Sequence, residues 1–266
     1  DYWMPRQQYL SRFGVRGWPV AYTSGNSFIW QLMAKLCGDH PRLLAGFRTT
    51  SNIRVYEPGL LCPRWPGQPR FDRFALWNEV RQLKKVVNAA SRKTLAFITH
   101  PLFAPYLDHL EGIPVVYFAE DAFSLMPGWS KEDDQNEVAL VQRADLIVTC
   151  APSMAEQLPG DGPRRARILR NGVDFEAFNV AEAKHCPDDL SAIPEPRIGY
   201  TGSVNQKVDY GLIASIARKR RDLNWVLVGP VGVGNKDTLA SNEAIGASYR
   251  ECRALRLQVP LSPTHQ

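Results

Sequence analysis

The segment Pro196-Arg197-Ile198-Gly199-Tyr200-Thr201-Gly202 decides the fold, because it reads as a short apolar strand that runs directly into a glycine turn. Residues 208–218 follow that turn with apolar positions at helical spacing, so the sequence predicts a strand, a glycine and then a helix. The beginning of such a helix offers free N–H donors and the positive end of its dipole to an anion. The segment therefore predicts a layered α/β unit that can hold a phosphate-bearing ligand.

The part of the chain before this segment alternates short apolar strands with amphipathic helices. The predicted strands are 18–23, 53–61, 94–99, 114–119 and 145–150, and the predicted helices are 8–13, 28–37, 72–90, 102–110, 131–143 and 153–158. Ser153 and Glu156 have capping-box spacing, which predicts that the last of these helices begins at Ser153. Uninterrupted apolar strands that alternate with helices predict a parallel sheet covered on both faces.

The second half repeats this scheme at 197–201, 208–218 and 224–229, and no convincing strand is predicted after Gly229. Asn171-Gly172-Val173-Asp174 stands between the two halves. We expect an N-terminal domain over 1–170, a hinge over 171–195 and a partial C-terminal domain over 196–266. The fold class is α/β, with two Rossmann-like parallel-sheet domains of which the second is incomplete.

The composition excludes several classes of protein. With 266 residues and 44% hydrophobic residues, the chain can form a real core. No stretch has the length of a membrane span, and the first residues do not resemble a secretory signal. Five scattered cysteines without a C-x-x-C pair favour a reducing cytoplasm over a disulfide framework, and no set of metal ligands is evident.

The net charge is +5, and the densest basic clusters are Arg164-Arg165 and Arg218-Lys219-Arg220-Arg221. The second cluster ends a predicted helix, where solvated cations suit the helix dipole. An alternative is attraction to an anionic ligand or to the inner face of a membrane. No motif or interleaved aromatic pattern indicates that the protein binds nucleic acid.

Candidate site residues follow from a rule of open parallel sheets, in which ligands bind beyond the carboxyl ends of the strands. The residues that this rule selects, together with their immediate neighbours, are His100, Glu120, Asp121, Asn171, Thr201, Gly202, Ser203, Lys207 and Gly229. They come from the predicted topology and not from a catalytic signature.

The candidates that precede the hinge have two interpretations each. His100 can donate a hydrogen bond or a proton to a substrate, or it can satisfy a carbonyl in its own turn. Glu120 and Asp121 can hold sugar hydroxyls or act as a base, or they can be solvated loop acids. Asn171 precedes glycine in a common turn dipeptide, which by itself indicates no function.

The candidates after the hinge are equally open. Gly202 can contact a phosphate or can simply form the turn before a helix, and Lys207 can neutralise a phosphate or lie in water. Gly229-Pro230-Val231-Gly232-Val233-Gly234 resembles a phosphate loop only loosely, because it lacks both the G-x-G-x-x-G spacing and the Lys-Ser/Thr ending.

Taken in order, several stretches of the chain resemble bacterial glycosyltransferases of the GT-B fold, group 1, family 4-like. The stretches are Val115-Val116-Tyr117-Phe118-Ala119-Glu120-Asp121-Ala122-Phe123-Ser124, Ala144-Asp145-Leu146-Ile147-Val148-Thr149, Ile168-Leu169-Arg170-Asn171-Gly172-Val173-Asp174, Arg197-Ile198-Gly199-Tyr200-Thr201-Gly202 and Trp225-Val226-Leu227-Val228-Gly229-Pro230. The resemblance covers about residues 3–230, and their ordered succession is more specific than any single stretch.

The resemblance implies two Rossmann-like domains facing across a cleft, the first binding the acceptor and the second binding a nucleotide-diphosphate sugar. Such enzymes usually need neither a bound metal nor a cofactor. Gly202 and Ser203 would approach the donor diphosphate with assistance from Lys207, while His100 and Asp121 would face the transferred sugar or the acceptor. The implied acceptor is a carbohydrate or a lipid-linked sugar, and the implied process is the synthesis of a cell-surface polysaccharide.

The chain also departs from the family pattern. No basic diphosphate-binding region and no glutamate-bearing segment can be identified after Gly229, and the first predicted helix has no strand before it. These two departures suggest that the chain is truncated at both ends. Two alternatives therefore stay open. One is a catalytically incompetent fragment or binding protein of the same fold, and the other is a sugar-nucleotide epimerase.

Overall fold

The computed structural model describes residues 5–37, 42–50, 52–88, 94–126, 128–173, 175–178, 186–202, 204, 208–229 and 255–258. The chain divides into two compact units, Asp1–Val173 and Asp174–Gln266. This division falls inside the segment expected as a hinge, and the expected three-part boundaries stay a prediction.

The described residues contain both helices and strands. The α-helices are α1 Pro5–Val15, α2 Leu32–Leu36, α3 Pro69–Asn88, α4 Lys131–Arg143, α5 Pro152–Ala155, α6 Gly162–Arg165, α7 Phe175–Phe178, α8 Asp188–Ser191 and α9 Tyr210–Lys219. The strands are β1 Val20–Tyr22, β2 Gly46–Thr50, β3 Ile53–Glu57, β4 Ala96–Ile98, β5 Val115–Ala119, β6 Leu146–Thr149, β7 Arg167–Ile168, β8 Arg197–Thr201, β9 Asn224–Val228 and β10 Leu255–Gln258. No helix among these residues combines the length and the apolar composition that crossing a membrane requires.

The first unit contains a four-stranded parallel sheet in the order β4-β5-β6-β7. All five residues of β5 are buried, as expected for a central strand covered on both faces. On one face, Tyr117 packs with Leu140 of α4 and Ile147 of β6 in the main core. This sheet confirms the predicted α/β layering.

A second sheet of this unit, in the order β1-β3-β2, differs from the expected parallel arrangement. Strand β2 was not predicted, and it pairs antiparallel with β3 from Gly46↔Glu57 to Thr50↔Ile53. Its composition, Gly-Phe-Arg-Thr-Thr, lacks the apolar run that marks a buried strand. Antiparallel neighbours can be joined by a tight turn, and Asn52 adopts a left-handed φ of 62° there.

The second unit contains a parallel sheet in the order β10-β9-β8. Read from the first of its strands, this is the 3-2-1 order of one Rossmann half. The prediction of no strand after Gly229 is wrong, because β10 pairs with β9 from Leu255↔Trp225 to Gln258↔Val228. The sequence Leu-Arg-Leu-Gln alternates apolar and polar residues, so it lacks the continuous apolar run by which the other strands were predicted.

Two helices predicted at strand exits have different local geometry. The helix expected to begin at Ser153 begins at Pro152, with Ala151 as its N-cap, because the fixed φ of proline suits the first helical position. The helix expected over 102–110 is a 3₁₀ helix over Pro101–His109 that contains Pro105. Proline has no N–H to donate, so a regular α-helical ladder is interrupted there.

Candidate functional site

The turns that follow β4, β5, β6 and β7 lie in sequence along one edge of the parallel sheet. The ring of His100, after β4, lies 4.4 Å from the ring of Phe123, after β5. The Cys150 thiol, after β6, donates to the carbonyl oxygen of Glu120 at 3.8 Å. The backbone N–H of Leu169, after β7, donates to the Thr149 carbonyl at 2.8 Å. The structure therefore brings the predicted residues of the first unit to a common edge.

His100 is held in one orientation by its own backbone environment. It is the N-cap of the 3₁₀ helix, with extended φ and ψ of −148° and 138°, and its Nδ1 accepts a hydrogen bond from the Leu102 N–H at 3.0 Å. The neutral imidazole therefore carries its proton on Nε2. His100 therefore caps the helix that follows it, and both of its predicted roles stay predictions.

The acidic pair after β5 has two different environments. Glu120 is half-buried, and Asp121 is exposed. An exposed carboxylate at a strand exit can accept hydrogen bonds from sugar hydroxyls, because an ionised carboxylate has only acceptor atoms. The structure places both acids beside the His100 turn, while their predicted roles stay predictions.

Asn171 lies beyond the end of β7 and is exposed, as are the adjacent residues Arg170 and Gly172. The hydrogen bond of Leu169 to Thr149 continues the pairing of β7 with β6, so Asn171 follows the last paired residue by only two positions. Asn171 therefore shares the sheet edge with His100 and Asp121, although no hydrogen bond joins it to them among the described residues.

Sequence reasoning missed a buried polar network beside this edge. The carboxylate of Glu79 in α3 is fully buried and accepts hydrogen bonds from the hydroxyls of Thr23, after β1, and Tyr106, in the 3₁₀ helix that His100 caps. The Thr23 hydroxyl also accepts the Gly25 N–H at 2.8 Å. The network therefore fixes the turn after β1 against the helix after β4.

Burial raises the pKa of the Glu79 carboxyl above its ordinary value, and the hydroxyl donors oppose this shift only in part. The sequence contained a signal for this residue. Glu79 lies three positions after Leu76 and directly before Val80, both of which belong to the buried face of α3. A buried acid among apolar core positions needs hydrogen-bond partners, so its position on this helix face predicts a buried polar network.

In the second unit, two glycines meet at the exits of neighbouring strands. Gly202 follows β8 and Gly229 follows β9, each with a φ of 149°, in a region that side chains rarely adopt. The Gly202 N–H donates to the Val228 carbonyl at 2.9 Å, and a Cβ on Gly229 would overlap the Gly202 carbonyl oxygen. The close approach of two backbones therefore requires glycine at Gly229.

Three N–H groups at the beginning of α9, where the sequence predicted free donors, are already engaged. The carboxylate of Asp209 accepts the Leu212 N–H at 2.8 Å, and the backbone carbonyls of Val208 and Asp209 accept the N–H groups of Tyr210 and Ile213. A negative cap already occupies the positive end of the helix dipole. Anion binding at this terminus stays a prediction.

The other residues predicted in this unit have different positions. Thr201 and Gly202 are exposed at the end of β8, and Gly229 is buried. Ser203 and Lys207 lie outside the described residues. No group of three or more His, Cys, Asp or Glu side chains within the described ranges is arranged to hold a metal ion. A reaction without metal or cofactor stays a prediction.

Comparison with solved structures identifies the fold. HepE of Anabaena, crystallised with UDP-glucose, matches with a TM-score of 0.57 at 14% identity, over 80% of this chain and 57% of the HepE chain. The catalytic domain of starch synthase IV of Arabidopsis thaliana, bound to ADP and acarbose, matches with a TM-score of 0.52 at 12% identity, over 82% of this chain and 59% of that one. The chain has the GT-B fold.

The same comparison includes enzymes of another activity at a lower score. The UDP-GlcNAc 2-epimerase of Neisseria meningitidis, bound to UDP-GlcNAc, gives a TM-score of 0.46 at 10% identity. No protein-family model and no curated protein sequence matches the chain. The chain spans somewhat more than half the length of the HepE structures it matches.

Proposed function

We propose that this chain transfers a sugar from a nucleotide-diphosphate sugar to a carbohydrate or lipid-linked acceptor, in the synthesis of a cell-surface polysaccharide. The observation that carries the proposal is the shared fold with HepE, which was crystallised with UDP and with UDP-glucose. The polar strand exits of the first unit and the glycine turns of the second support it.

In the second unit, we assign the donor diphosphate to the backbone at Thr201 and Gly202, with Ser203, Lys207 and Gly229 beside it. Main-chain N–H groups of this turn other than that of Gly202, which already donates to the Val228 carbonyl, suit this role because they stabilise the charge of a departing diphosphate without reorganisation. The unusual φ of Gly202 supports the assignment, since glycine lets a backbone approach a ligand closely. This assignment needs no bound metal or cofactor.

In the first unit, we assign sugar hydroxyls to His100 and Asp121, with Glu120 and Asn171 beside them. The Nε2–H of His100 is the donor, because Nδ1 is occupied by the Leu102 N–H. The exposed Asp121 carboxylate is the complementary acceptor and a general base for an acceptor hydroxyl.

We place this reaction in the cytoplasm, where a reducing environment suits an odd number of cysteines. Four of the five cysteines lie in the described part of the chain, and all four are free thiols there: Cys37, Cys62, Cys150 and Cys186. Free thiols persist where glutathione and thioredoxin keep them reduced.

Calorimetric titration with UDP-, GDP- and dTDP-sugars, followed by product analysis with and without acceptor, tests the proposal. We expect one nucleotide class to bind and sugar to reach the acceptor. Donor conversion without acceptor would identify an epimerase instead, and binding without turnover would identify a binding protein. Absence of binding to every donor would refute the proposed donor site.

The substitution His100→Asn separates chemistry from capping. Asparagine can accept the Leu102 N–H as an N-cap residue but cannot exchange a proton as imidazole does. We expect kcat to fall by about 10²–10⁴-fold with an unchanged melting temperature. The variant His100→Ala loses the cap as well, at a cost of about 1 kcal/mol of stability. Full activity of His100→Asn would remove His100 from the reaction.

A further inference from the structure

The outward face of α3 carries large aromatic side chains and cations in one continuous row. Phe74 and Trp77 are 53% and 44% exposed, and their rings lie 5.7 Å apart. The Arg81 guanidinium lies 5.4 Å from the centre of the Trp77 ring, and exposed Lys85 follows one turn later. Residues spaced by three or four share a helix face, so these four side chains form a single surface, here named the α3 row.

No exposed acid interrupts the charge of this helix, all of whose backbone the structure describes. Its two acids, Asp72 and Glu79, are both buried. Asp72 forms a two-point ion pair with buried Arg64 at 2.8 and 2.9 Å, and Glu79 binds the Thr23 and Tyr106 hydroxyls. The charges that α3 presents to solvent are therefore all positive.

The α3 row ends at an open cavity of about 450 Å³ between the helix and the sheet β1-β3-β2. Two of its lining residues are cations, Lys85 of α3 and Arg54 of β3, and Gln82 adds an amide. Neither cation forms an ion pair with another described residue. A neighbouring acid of the sheet, Glu57, is already paired with arginines Arg42 and Arg48.

One arginine of each basic cluster singled out in the sequence is already engaged. Arg165 donates to the backbone carbonyls of Val141 and Ala144, and Arg220 forms a two-point ion pair with Asp222. Both side chains therefore bind groups of the unit to which they belong. On α3, by contrast, Arg81 and Lys85 follow exposed aromatic rings and form no ion pair with a described residue.

We propose that the α3 row docks on the surface of an anionic phospholipid membrane, with a lipid phosphate in the cavity lined by Arg54 and Lys85. Exposed Trp and Phe insert favourably at the headgroup level of a bilayer, and cations beside them attract anionic lipids. Charge complementarity selects this occupant, because the row has no exposed acid and ends at two cations. Membrane binding does not require sugar transfer, so this inference and the proposed function can fail separately.

Flotation with lipid vesicles tests the docking surface. We expect the chain to bind vesicles of phosphatidylcholine containing about one third phosphatidylglycerol, and to bind pure phosphatidylcholine much more weakly. The double variant Arg54→Gln, Lys85→Gln should lower the partition coefficient roughly 30-fold, since each surface cation contributes about 1 kcal/mol. Trp77→Ser should lower binding to the anionic vesicles too. Raising the salt concentration should release the wild-type chain.

The matched control neutralises two exposed cations elsewhere in the same unit, Lys131→Gln with Arg164→Gln, and should change binding by less than about twofold. Equal losses in the control and in the Arg54, Lys85 variant would overturn the assignment of the surface. Failure to bind anionic vesicles would overturn the lipid itself. A Trp77-dependent dimer, or binding of RNA without binding of vesicles, would replace the membrane by that partner.

Discussion

The two sheet edges that carry the candidate residues are built from different atoms. The edge of β4–β7 presents side chains, with His100 oriented by the Leu102 N–H and Glu79 held by two hydroxyls behind it. The edge of β8 and β9 presents backbone, where Gly202 and Gly229 approach so closely that a Cβ does not fit. A side-chain site tolerates replacement by a similar shape, whereas this backbone contact tolerates no side chain at all.

The largest effect that this comparison predicts is that of Gly229→Ala. The new Cβ would overlap the Gly202 carbonyl oxygen, at a φ that alanine rarely adopts. We expect a loss of more than about 3 kcal/mol of stability and of nucleotide-sugar binding, measured by urea unfolding and calorimetry. Gly199→Ala is the control in the neighbouring strand, because its Cβ would meet no atom within 4 Å.

Comparison of the Gly229→Ala and Gly199→Ala variants tests whether the backbone edge is rigid. If Gly229→Ala folds and binds as Gly199→Ala does, then the two turns are able to separate and the backbone edge is not rigid. If Gly229→Ala folds but loses only nucleotide binding, then the close contact serves the ligand and not the fold.

The second effect, on the side-chain edge, is that of Glu79→Leu. Leucine has a similar volume but leaves the hydroxyls of Thr23 and Tyr106 without their acceptor inside the protein. We expect a cost of about 2–4 kcal/mol in urea unfolding, from two buried donors of about 1–3 kcal/mol each with partial relaxation. Exposed Glu111→Leu is the control and should stay within about 0.5 kcal/mol. Equal stability of both variants would show that the network is not needed.

The sequence predicted single helices and strands more accurately than contacts between distant segments. The helix Lys131–Arg143 and the strand Arg197–Thr201 were predicted with the bounds that the structure has, because periodicity and an apolar run are local signals. The strand exits at His100 and Asp121 followed from topology. The partners of Glu79 did not, because three distant segments meet only after folding, and no local pattern encodes that meeting.

Helix starts were predicted less accurately where two local sequence signals favoured different residues. Ser153 has capping-box spacing, yet Pro152 begins the helix, since a residue with fixed φ at the first position outweighs a polar cap one residue later. In the second unit, the strand-glycine-helix pattern was correct, but the Asp209 cap that fills the helix terminus was overlooked. A glycine turn before a helix therefore predicts an anion site only when the N-cap residue of that helix is not itself an acid.

The third effect is a pH dependence. Because burial raises the pKa of Glu79 above its ordinary 4.5, the folded chain keeps a proton that the unfolded chain releases. The free energy of unfolding therefore falls as the pH rises from about 4.5 towards the raised pKa, by at most about 1.4 kcal/mol per pH unit. Glu79→Gln removes this contribution, so its stability relative to wild type should improve as the pH rises above about 4.5.

Urea unfolding of both proteins across that range measures the difference directly. The buried pair of Glu137 and Tyr117 also has a raised carboxyl pKa, but it is present in both proteins and cancels in the comparison. A constant difference between the wild-type chain and Glu79→Gln would mean that Glu79 is ionised in the folded state at every pH tested.

The smallest effect sharpens the comparison at the helix that follows β8. Asp209→Ala removes the acceptor for the Leu212 N–H and should cost about 1 kcal/mol, whereas Asp209→Asn keeps a cap and should cost a few tenths. If the donor diphosphate lies at the Gly202 turn, Asp209→Asn should change calorimetric affinity by less than about twofold, because the changed carboxylate then lies away from the bound anion. A gain of tenfold would mean that the anion lies at the beginning of α9, and that a side chain and not the glycine backbone limits binding.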